Sequence, residues 1–138
     1  IRVPMIVRGP GRVPAGRTSD AVWAAWDVLP TFADLAGAAA PAGLDGVSQK
    51  QTLLGGGPSP ERMLYWEFFE RGFEQAVRWG RWKAVRHGAI RPLEIFALVA
   101  DPAEAKDVAA AHADVVTRIE AYLRTARTES ADWPMPRE

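Results

Sequence analysis

The stretch LYWEFFERGFEQAVRWGRWKAVRH, residues 64–87, decides the fold of this chain. Aromatic and β-branched side chains dominate it, which is typical of β-strands, and Gly72 and Gly80 interrupt it. The pattern predicts three consecutive strands, over residues 64–69, 73–79 and 82–87. The chain is therefore expected to be built around an antiparallel sheet.

The turn before the third strand sets the register of that sheet. Gly80 and Arg81 suit a two-residue hairpin turn, because glycine accepts the positive φ of the first central position. A three-residue loop over residues 79–81 is the alternative. A slip of one residue would send every side chain to the other face of the sheet. With the two-residue turn, Arg78 lies opposite Lys83.

The residues after this stretch complete an α+β unit. Residues 93–99, LEIFALV, predict a fourth strand, and the proline before them marks either an edge strand or the first residue of a strand. Asp101, Pro102 and Glu104 resemble a capping box and predict the start of a helix. Apolar residues then recur at helical spacing and predict an amphipathic helix over residues 115–126. This helix is expected to cover one side of the sheet.

The first third of the chain has a different character. Residues 2–8 form a short apolar pattern that predicts a strand, with its partner strands outside this chain. A helix is predicted within residues 19–37, and Pro30 favours the later of two starts, capped by Asp27. Alanine, proline and glycine dominate residues 38–60. These features predict one domain over residues 1–50 and a second over residues 51–138.

Composition excludes several classes of function. The 17 basic and 17 acidic residues cancel, which argues against a nucleic-acid partner recognised by bulk charge. Cysteine is absent, so the chain has no disulfide, thiolate metal site or cysteine nucleophile. No apolar run approaches the roughly 20 residues of a membrane span. The chain begins at Ile1 without methionine, and an N-terminal portion is expected to be missing.

Ligand-facing candidates come from the strand region. Five charged or titratable side chains are singled out: Glu67, Glu70, Arg78, Lys83 and His87. Under the two-residue turn, Glu74, Arg78, Lys83 and His87 share a face of the sheet. Two cations directly opposite each other are unfavourable unless an anion lies between them, which indicates an oxyanion-binding patch. The competing interpretation is that Glu67 or Glu74 neutralises the patch structurally.

Several short motifs, in order, give a more specific indication. The chain contains RVPMI at residues 2–6, DVLPTFADLAG at 27–37, LDGVS at 44–48, LYWEF at 64–68, QAVR at 75–78, GRWK at 80–83, LEIF at 93–96 and DPAE at 101–104. Together they resemble the C-terminal portion of the arylsulfatase-type sulfatases, in the alkaline phosphatase superfamily. Asp107 departs from this pattern, because the family usually has asparagine there.

The resemblance implies an α+β fragment of an α/β sulfatase. It comprises the last strand and helix of the large catalytic domain, then an antiparallel sheet of about four strands packed by a C-terminal helix. Family members hydrolyse sulfate esters with a formylglycine, from a Cys/Ser-x-Pro-x-Arg motif, and usually calcium. Residues 59–62, SPER, fail that spacing, and the matching metal ligands and catalytic lysine lie upstream of Ile1. No catalytic or metal residue is therefore carried over.

What remains is a prediction for a non-catalytic piece. Its expected partners are the missing N-terminal catalytic portion and, in the intact enzyme, a sulfate-ester substrate, and a homo-oligomer is left open. Glu67, Arg78, Lys83 and His87 are the candidate substrate-binding residues, and the isolated chain is expected to be inactive. The alternative is a stand-alone module for binding anions or sulfated glycans, or for oligomerisation. The cellular compartment is left undetermined, since the family analogy suggests periplasmic or secreted as often as cytoplasmic.

Overall fold

A computed structural model describes residues 3–70 and 72–136. The chain divides into two compact units, Ile1–Pro60 and Glu61–Glu138. The division falls later than the predicted boundary between residues 50 and 51. The reason lies in α2 (Lys50–Leu53), which is bonded to the helix before it, so that this segment belongs to the first unit.

The longer of the two α-helices described in the first unit is α1, which spans Val28–Ala36 after a 3₁₀ turn at Ala25–Asp27. Its start after Asp27 confirms the later of the two predicted starts, and Gly37 ends it with a φ of 71°. Asp27 occupies the N-cap position, but its side chain makes no capping hydrogen bond. Its carboxylate instead accepts hydrogen bonds from the backbone N–H groups of Ala24 (2.9 Å) and Val47 (3.0 Å).

Polar contacts hold the following loop against α1. Thr31 Oγ1 accepts a hydrogen bond from the backbone N–H of Gln49 at 2.9 Å. Lys50 Nζ donates to both the carboxylate and the backbone carbonyl of Asp34, each at 2.9 Å. These contacts, together with one from Ser48, lower the pKa of Asp34, the hydrogen bond from Lys50 being the main cause. The loop therefore has a defined path despite its content of glycine and alanine.

The strand predicted over residues 2–8 is not formed. Residues 3–8 have no regular secondary structure and are exposed, and Arg2 lies outside the described residues. A strand exists through hydrogen bonds to a neighbouring strand, and the sheet of this chain contains only residues of the second unit. The apolar pattern of this segment is therefore not sufficient to make it a strand.

The second unit contains the predicted antiparallel sheet. Its strands are β1 (Met63–Phe68), β2 (Glu74–Trp79), β3 (Trp82–His87) and β4 (Glu94–Ala97), in the order β1-β2-β3-β4. In the β2–β3 hairpin Trp79 lies opposite Trp82, and Arg78 lies opposite Lys83. Gly80 takes a φ of 52° in the turn. The two-residue turn and its register are confirmed.

The C-terminal helix covers one face of this sheet, as predicted. Helix α3 spans Ala113–Ala126. The core between helix and sheet consists of buried apolar side chains from both: Val77, Trp82, Ala84, Leu93, Ile95, Val115, Ile119 and Leu123. Burying such an apolar stripe is the main source of stability for a helix of this length.

The helix predicted to begin at Asp101 is not formed. Residues 101–108 are a loop, followed by a 3₁₀ turn at Ala109–Ala111. The carboxylate of Asp101 accepts the backbone N–H of Lys106 at 2.9 Å, so it stabilises a loop and not a helix end. Glu104 has a φ of 57°, which no α-helix can continue. Asp107 Oδ1 accepts the N–H groups of Ile95 and Ala109, an acceptor that the usual asparagine would also provide.

Candidate functional site

The sheet face that points away from α3, which we call the outer face, carries most of the candidate residues. The register places Arg78 beside Lys83 and Glu74 beside His87, and it adds Glu94 from β4 opposite Val85. The helix-covered face carries the alternate residues, among them Val77 and Ala84. Arg78, Lys83 and His87 therefore share this face, as the two-residue turn predicted, with the two cations adjacent and His87 at the other end of β3.

The two cations of the outer face have separate partners. Lys83 Nζ forms an ion pair with the carboxylate of Glu104, and the side chains of these residues are 16% and 30% exposed. The Arg78 guanidinium donates to the backbone carbonyls of Gly80 and Trp82, the latter at 3.2 Å. Glu104 thus supplies the neutralising charge that was assigned to Glu67 or Glu74. Its role could not be read from the sequence, because it depends on a loop that was predicted to be helix.

His87 lies between two carboxylates at the end of β3. Its Nδ1 is 2.8 Å from Glu74 Oε1, and its Nε2 is 3.8 Å from Glu94 Oε2. All three side chains are about half exposed. Each carboxylate faces a different ring nitrogen, so the three groups do not converge on one point where a metal ion could bind.

Glu67 lies on the other face of the sheet. Its carboxylate accepts the hydroxyl of Tyr65 and forms an ion pair with Arg127, whose Nε is 2.7 Å away. Gln75 Nε2 donates to the Tyr65 hydroxyl at 2.7 Å. Burial, followed by the hydrogen bond to Glu67, raises the pKa of Tyr65 well above its usual value. Glu67 is thus part of a polar cluster at the end of α3, while Glu70 is exposed in the loop after β1.

The carboxylates of this cluster raise the pKa of Arg127. Burial acts to lower it, but the hydrogen bond to Glu129 and the charge of Glu67 outweigh burial and raise it. Arg86, also on this face, forms an ion pair with Glu120 of α3. Neither Arg86 nor Arg127 was predicted from the sequence. The alternation of β3 could have revealed Arg86, since it shares a face with Ala84 and Trp82.

The outer face carries two cationic side chains but, among its described residues, shows no site that fits a metal ion. Arg78 and Lys83 provide hydrogen-bond donors with positive charge, which suit oxyanions. Within residues 3–70 and 72–136, no three His, Cys, Asp or Glu side chains cluster closely enough to hold a metal ion. The described residues therefore do not fit the calcium that the resemblance implies.

Comparison with known protein families assigns this chain to one of them. Residues 1–129 match the family described as N-sulphoglucosamine sulphohydrolase, C-terminal. The chain belongs to this family. The match covers both units, and it confirms the resemblance to the C-terminal portion of a sulfatase.

Two curated relatives of this sulfatase C-terminal chain agree. An N-acetylglucosamine-6-O-sulfatase of Bacteroides thetaiotaomicron is 34% identical over 93 residues, which is 65% of this chain and 15% of that protein. Arylsulfatase G of Rattus norvegicus is 38% identical over 89 residues, 60% of this chain and 17% of that protein. The chain thus spans about a sixth of the length of these relatives.

Solved structures show the same fold. The crystal structure of Ps i-CgsB has a TM-score of 0.74 at 27% identity, over 85% of this chain and 27% of that one. The same protein in complex with k-i-k-neocarrahexaose has a TM-score of 0.73 at 26% identity, over 93% and 30%. A phosphonate monoester hydrolase from Silicibacter pomeroyi shares the fold at 24% identity, with a TM-score of 0.65 over 87% and 28%.

No helix among the described residues combines the length and apolar character that a membrane crossing requires.

Proposed function

We propose that this chain is the C-terminal part of a sulfatase, a sulfuric ester hydrolase, in which it acts as a scaffold and as one wall of the substrate pocket. The observation that carries this proposal is the family match over residues 1–129, combined with relatives of which the matched part covers only 15% and 17%. The chemistry would then be performed by residues of a catalytic portion that precedes Ile1.

The exposed apolar surface of the first unit supports a scaffold role. Val3 and Ile6 are 85% and 95% exposed, and α1 exposes Leu29 and Phe32. Large apolar side chains that are this exposed would be covered by another part of the protein if they belong to one surface. The preceding catalytic portion would cover it, and the segment of residues 3–8 would then gain the neighbouring strand that it lacks here.

The nucleophile and metal would belong to that preceding portion. The described residues contain no cluster that fits calcium, and residues 59–62, SPER, do not have the spacing of a formylglycine motif. The formylglycine and the calcium ligands that the family implies would therefore come from residues before Ile1. The part assigned to this chain is to bind and orient the substrate.

Arg78, Lys83 and His87 are the proposed residues of the pocket wall. The register places them on one face, and their donors suit the oxygens of a sulfate ester. Glu67 is a weaker candidate, because its carboxylate is already bonded to Tyr65 and Arg127. The pairing of Lys83 with Glu104 also lowers the net positive charge that a stand-alone anion-binding module would need, so we prefer the pocket-wall role.

A sulfated sugar is the proposed substrate class. One relative is named for a 6-O-sulfated N-acetylglucosamine, and Ps i-CgsB was solved with a bound neocarrahexaose. Arylsulfatase G is named for aryl sulfates, so an aryl sulfate serves as the general test substrate.

The sequence encoded before Ile1 tests the assignment directly. We expect a Cys/Ser-x-Pro-x-Arg motif there, and its absence from an intact upstream reading frame would contradict the proposal. The protein extended by that portion should hydrolyse an aryl sulfate in the presence of calcium, whereas residues 1–138 alone should not. Turnover by the 138-residue chain would show that its assigned role is wrong.

Substitutions on the outer face test the pocket wall in the extended enzyme. Lys83→Gln and Arg78→Gln should raise KM for a sulfated sugar and change kcat little, since these residues would contact substrate away from the reacting sulfur. Lys106→Gln, an exposed lysine of the 101–108 loop, is the matched control. An unchanged KM in both outer-face variants would remove these residues from the pocket.

A further inference from the structure

A groove in the second unit is separate from the outer face. It has a volume of about 690 Å³, and six residues line it: Glu61, Arg62, Met63, Trp79, Arg118 and Tyr122. We call it the Trp79 groove. It lies where β1 begins, β2 ends and α3 passes. Trp79 occupies the helix-covered face of the sheet, whereas its neighbour Arg78 occupies the outer face, so the two surfaces do not share side chains.

Arg118 is the residue on which a site in this groove depends. Its guanidinium carbon lies 4.2 Å from the centroid of the Trp79 ring. Stacking on an indole holds a guanidinium in one orientation and leaves the N–H groups at its edge available for hydrogen bonds. No carboxylate among the described residues lies within ion-pair distance of Arg118. The groove therefore contains a pre-oriented cation whose charge is not neutralised by an ion pair.

The walls around Arg118 are held by hydrogen bonds. The indole Nε1–H of Trp79 donates to Glu61 Oε1 at 2.9 Å, and the Tyr122 hydroxyl donates to the Met63 carbonyl at 3.2 Å. Arg62 places a second guanidinium in the lining. The aromatic rings of Trp79 from β2 and Tyr122 from α3 form much of its apolar lining.

We propose that the Trp79 groove is a second binding site, which takes the sulfate group of a sulfated saccharide. A guanidinium fixed by stacking suits the bidentate geometry of a sulfate, and aromatic and methionine side chains beside it suit the apolar surface of a sugar ring. Such a site would bind a sulfated saccharide at a position distant from the sugar whose sulfate ester is cleaved. The choice of saccharide rests on the proposed function, whereas the oxyanion-binding geometry does not.

The indole N–H of Trp79 offers a direct measurement. In ¹⁵N-labelled chain its resonance is assigned by its loss in Trp79→Phe and followed during titration with N-acetylglucosamine 6-sulfate. N-acetylglucosamine and sodium sulfate are titrated separately at matched ionic strength. We expect a saturable shift with the sulfated sugar, none with the unsulfated sugar, and a weaker response to free sulfate. Arg118→Gln should weaken binding by about tenfold, the effect of losing a charge-assisted hydrogen bond.

Two variants separate geometry from bulk charge. Arg118→Lys keeps the charge but loses the bidentate donor, and it should also bind more weakly than the unmodified chain. Arg124→Gln removes an exposed charge from the same helix outside the groove, and it should bind normally. Since Arg118 and Arg124 are both exposed, neither change removes core packing, and a dispersed amide spectrum confirms the fold.

The remaining outcomes each overturn part of the proposal. No saturable indole shift, or equal binding by Arg118→Gln, would overturn the site. Equal affinity for free sulfate would overturn the saccharide assignment and leave a simple anion site. Loss of binding in Lys83→Gln but not in Arg118→Gln would move the site to the outer face. None of these results depends on turnover, so failure here is distinguishable from failure of the proposed sulfatase role.

Discussion

Lys83 of β3 and Glu104 of the following loop form an ion pair across 21 residues of sequence. Lys83 also lies directly opposite Arg78, so the ion pair offsets the repulsion between two adjacent cations. Glu104 makes this contact from a backbone with a φ of 57°. The pair thus couples the charge of the outer face to the conformation of the 101–108 loop.

Glu104→Gln should therefore destabilise the second unit by about 1 kcal/mol, because it leaves Lys83 beside Arg78 without its carboxylate. Denaturant unfolding at low and high salt measures this effect, which should shrink as salt screens the charges. Asp20→Asn, an exposed acid of the first unit, is the control. Glu104→Gly should cost less than Glu104→Gln, since glycine accepts the positive φ without strain. The reverse order would contradict the strain argument.

Ile119→Ala should cost about 2–5 kcal/mol of unfolding free energy, the range for truncating a buried aliphatic side chain. Ile119 is fully buried between α3 and the sheet. Thermal or denaturant unfolding followed by tryptophan fluorescence measures the loss. Arg124→Ala on the exposed side of the same helix should change stability by less than about 0.5 kcal/mol. Similar values for the two variants would mean that α3 does not pack as described.

Asp27→Asn should loosen the first unit locally. Each carboxylate oxygen of Asp27 accepts one backbone N–H, from Ala24 and Val47, and an asparagine presents its NH₂ group to one of them. An unpaired buried donor costs about 1–3 kcal/mol. Hydrogen exchange of the Ala24 and Val47 amides should accelerate, while amides within β3 should not change. Unchanged exchange at both positions would show that the carboxylate is not the essential acceptor.

The carboxylate of Asp101 should make the free energy of unfolding depend on pH in the acid range. Backbone N–H groups, chiefly that of Lys106, lower the pKa of Asp101 below its usual 3.8. A lowered pKa in the folded state gives a stabilisation that is present above the unfolded pKa and is lost as pH falls through the folded pKa. Asp101→Asn should therefore be less stable than the parent near pH 7, and the difference should shrink below pH 3.8. A difference that grows on acidification would contradict this assignment.

Glu67→Gln should lower the melting temperature by several degrees, because Arg127 is only 7% exposed and would lose a charged partner. Glu70→Gln, an exposed residue of the same region, should change it little. In the extended enzyme, a structural role predicts that kcat and KM measured well below the melting temperature stay near their normal values. A raised KM with normal stability would instead return Glu67 to the substrate pocket.

The parts predicted correctly share a physical cause. The alternation of residues 64–87, the glycine at the hairpin turn and the helical spacing of residues 115–126 are local patterns, and local backbone preference agrees with the tertiary packing there. The strand predicted at residues 2–8 is not formed among the described residues, because a strand requires a partner strand and this one was expected to lie outside the chain. The helix at Asp101 was wrong because a cap signal can equally stabilise a loop.

Some features of the candidate site were likewise predicted from the sequence, and others were seen only in the structure. Alternation along β2 and β3 placed Arg78, Lys83 and His87 on one face, and the short motifs indicated the sulfatase family. The sequence by itself therefore determined the strands of the sheet and the family, because these depend on neighbouring residues and on the order of motifs, whereas the structure chose the two-residue turn over the three-residue loop. Only the tertiary structure decided that Lys83 pairs with Glu104, that Glu67 binds Arg127, and that Arg118 stacks on Trp79. Those contacts join residues distant in sequence, and their formation depends on the paths of loops whose conformation no local pattern specifies.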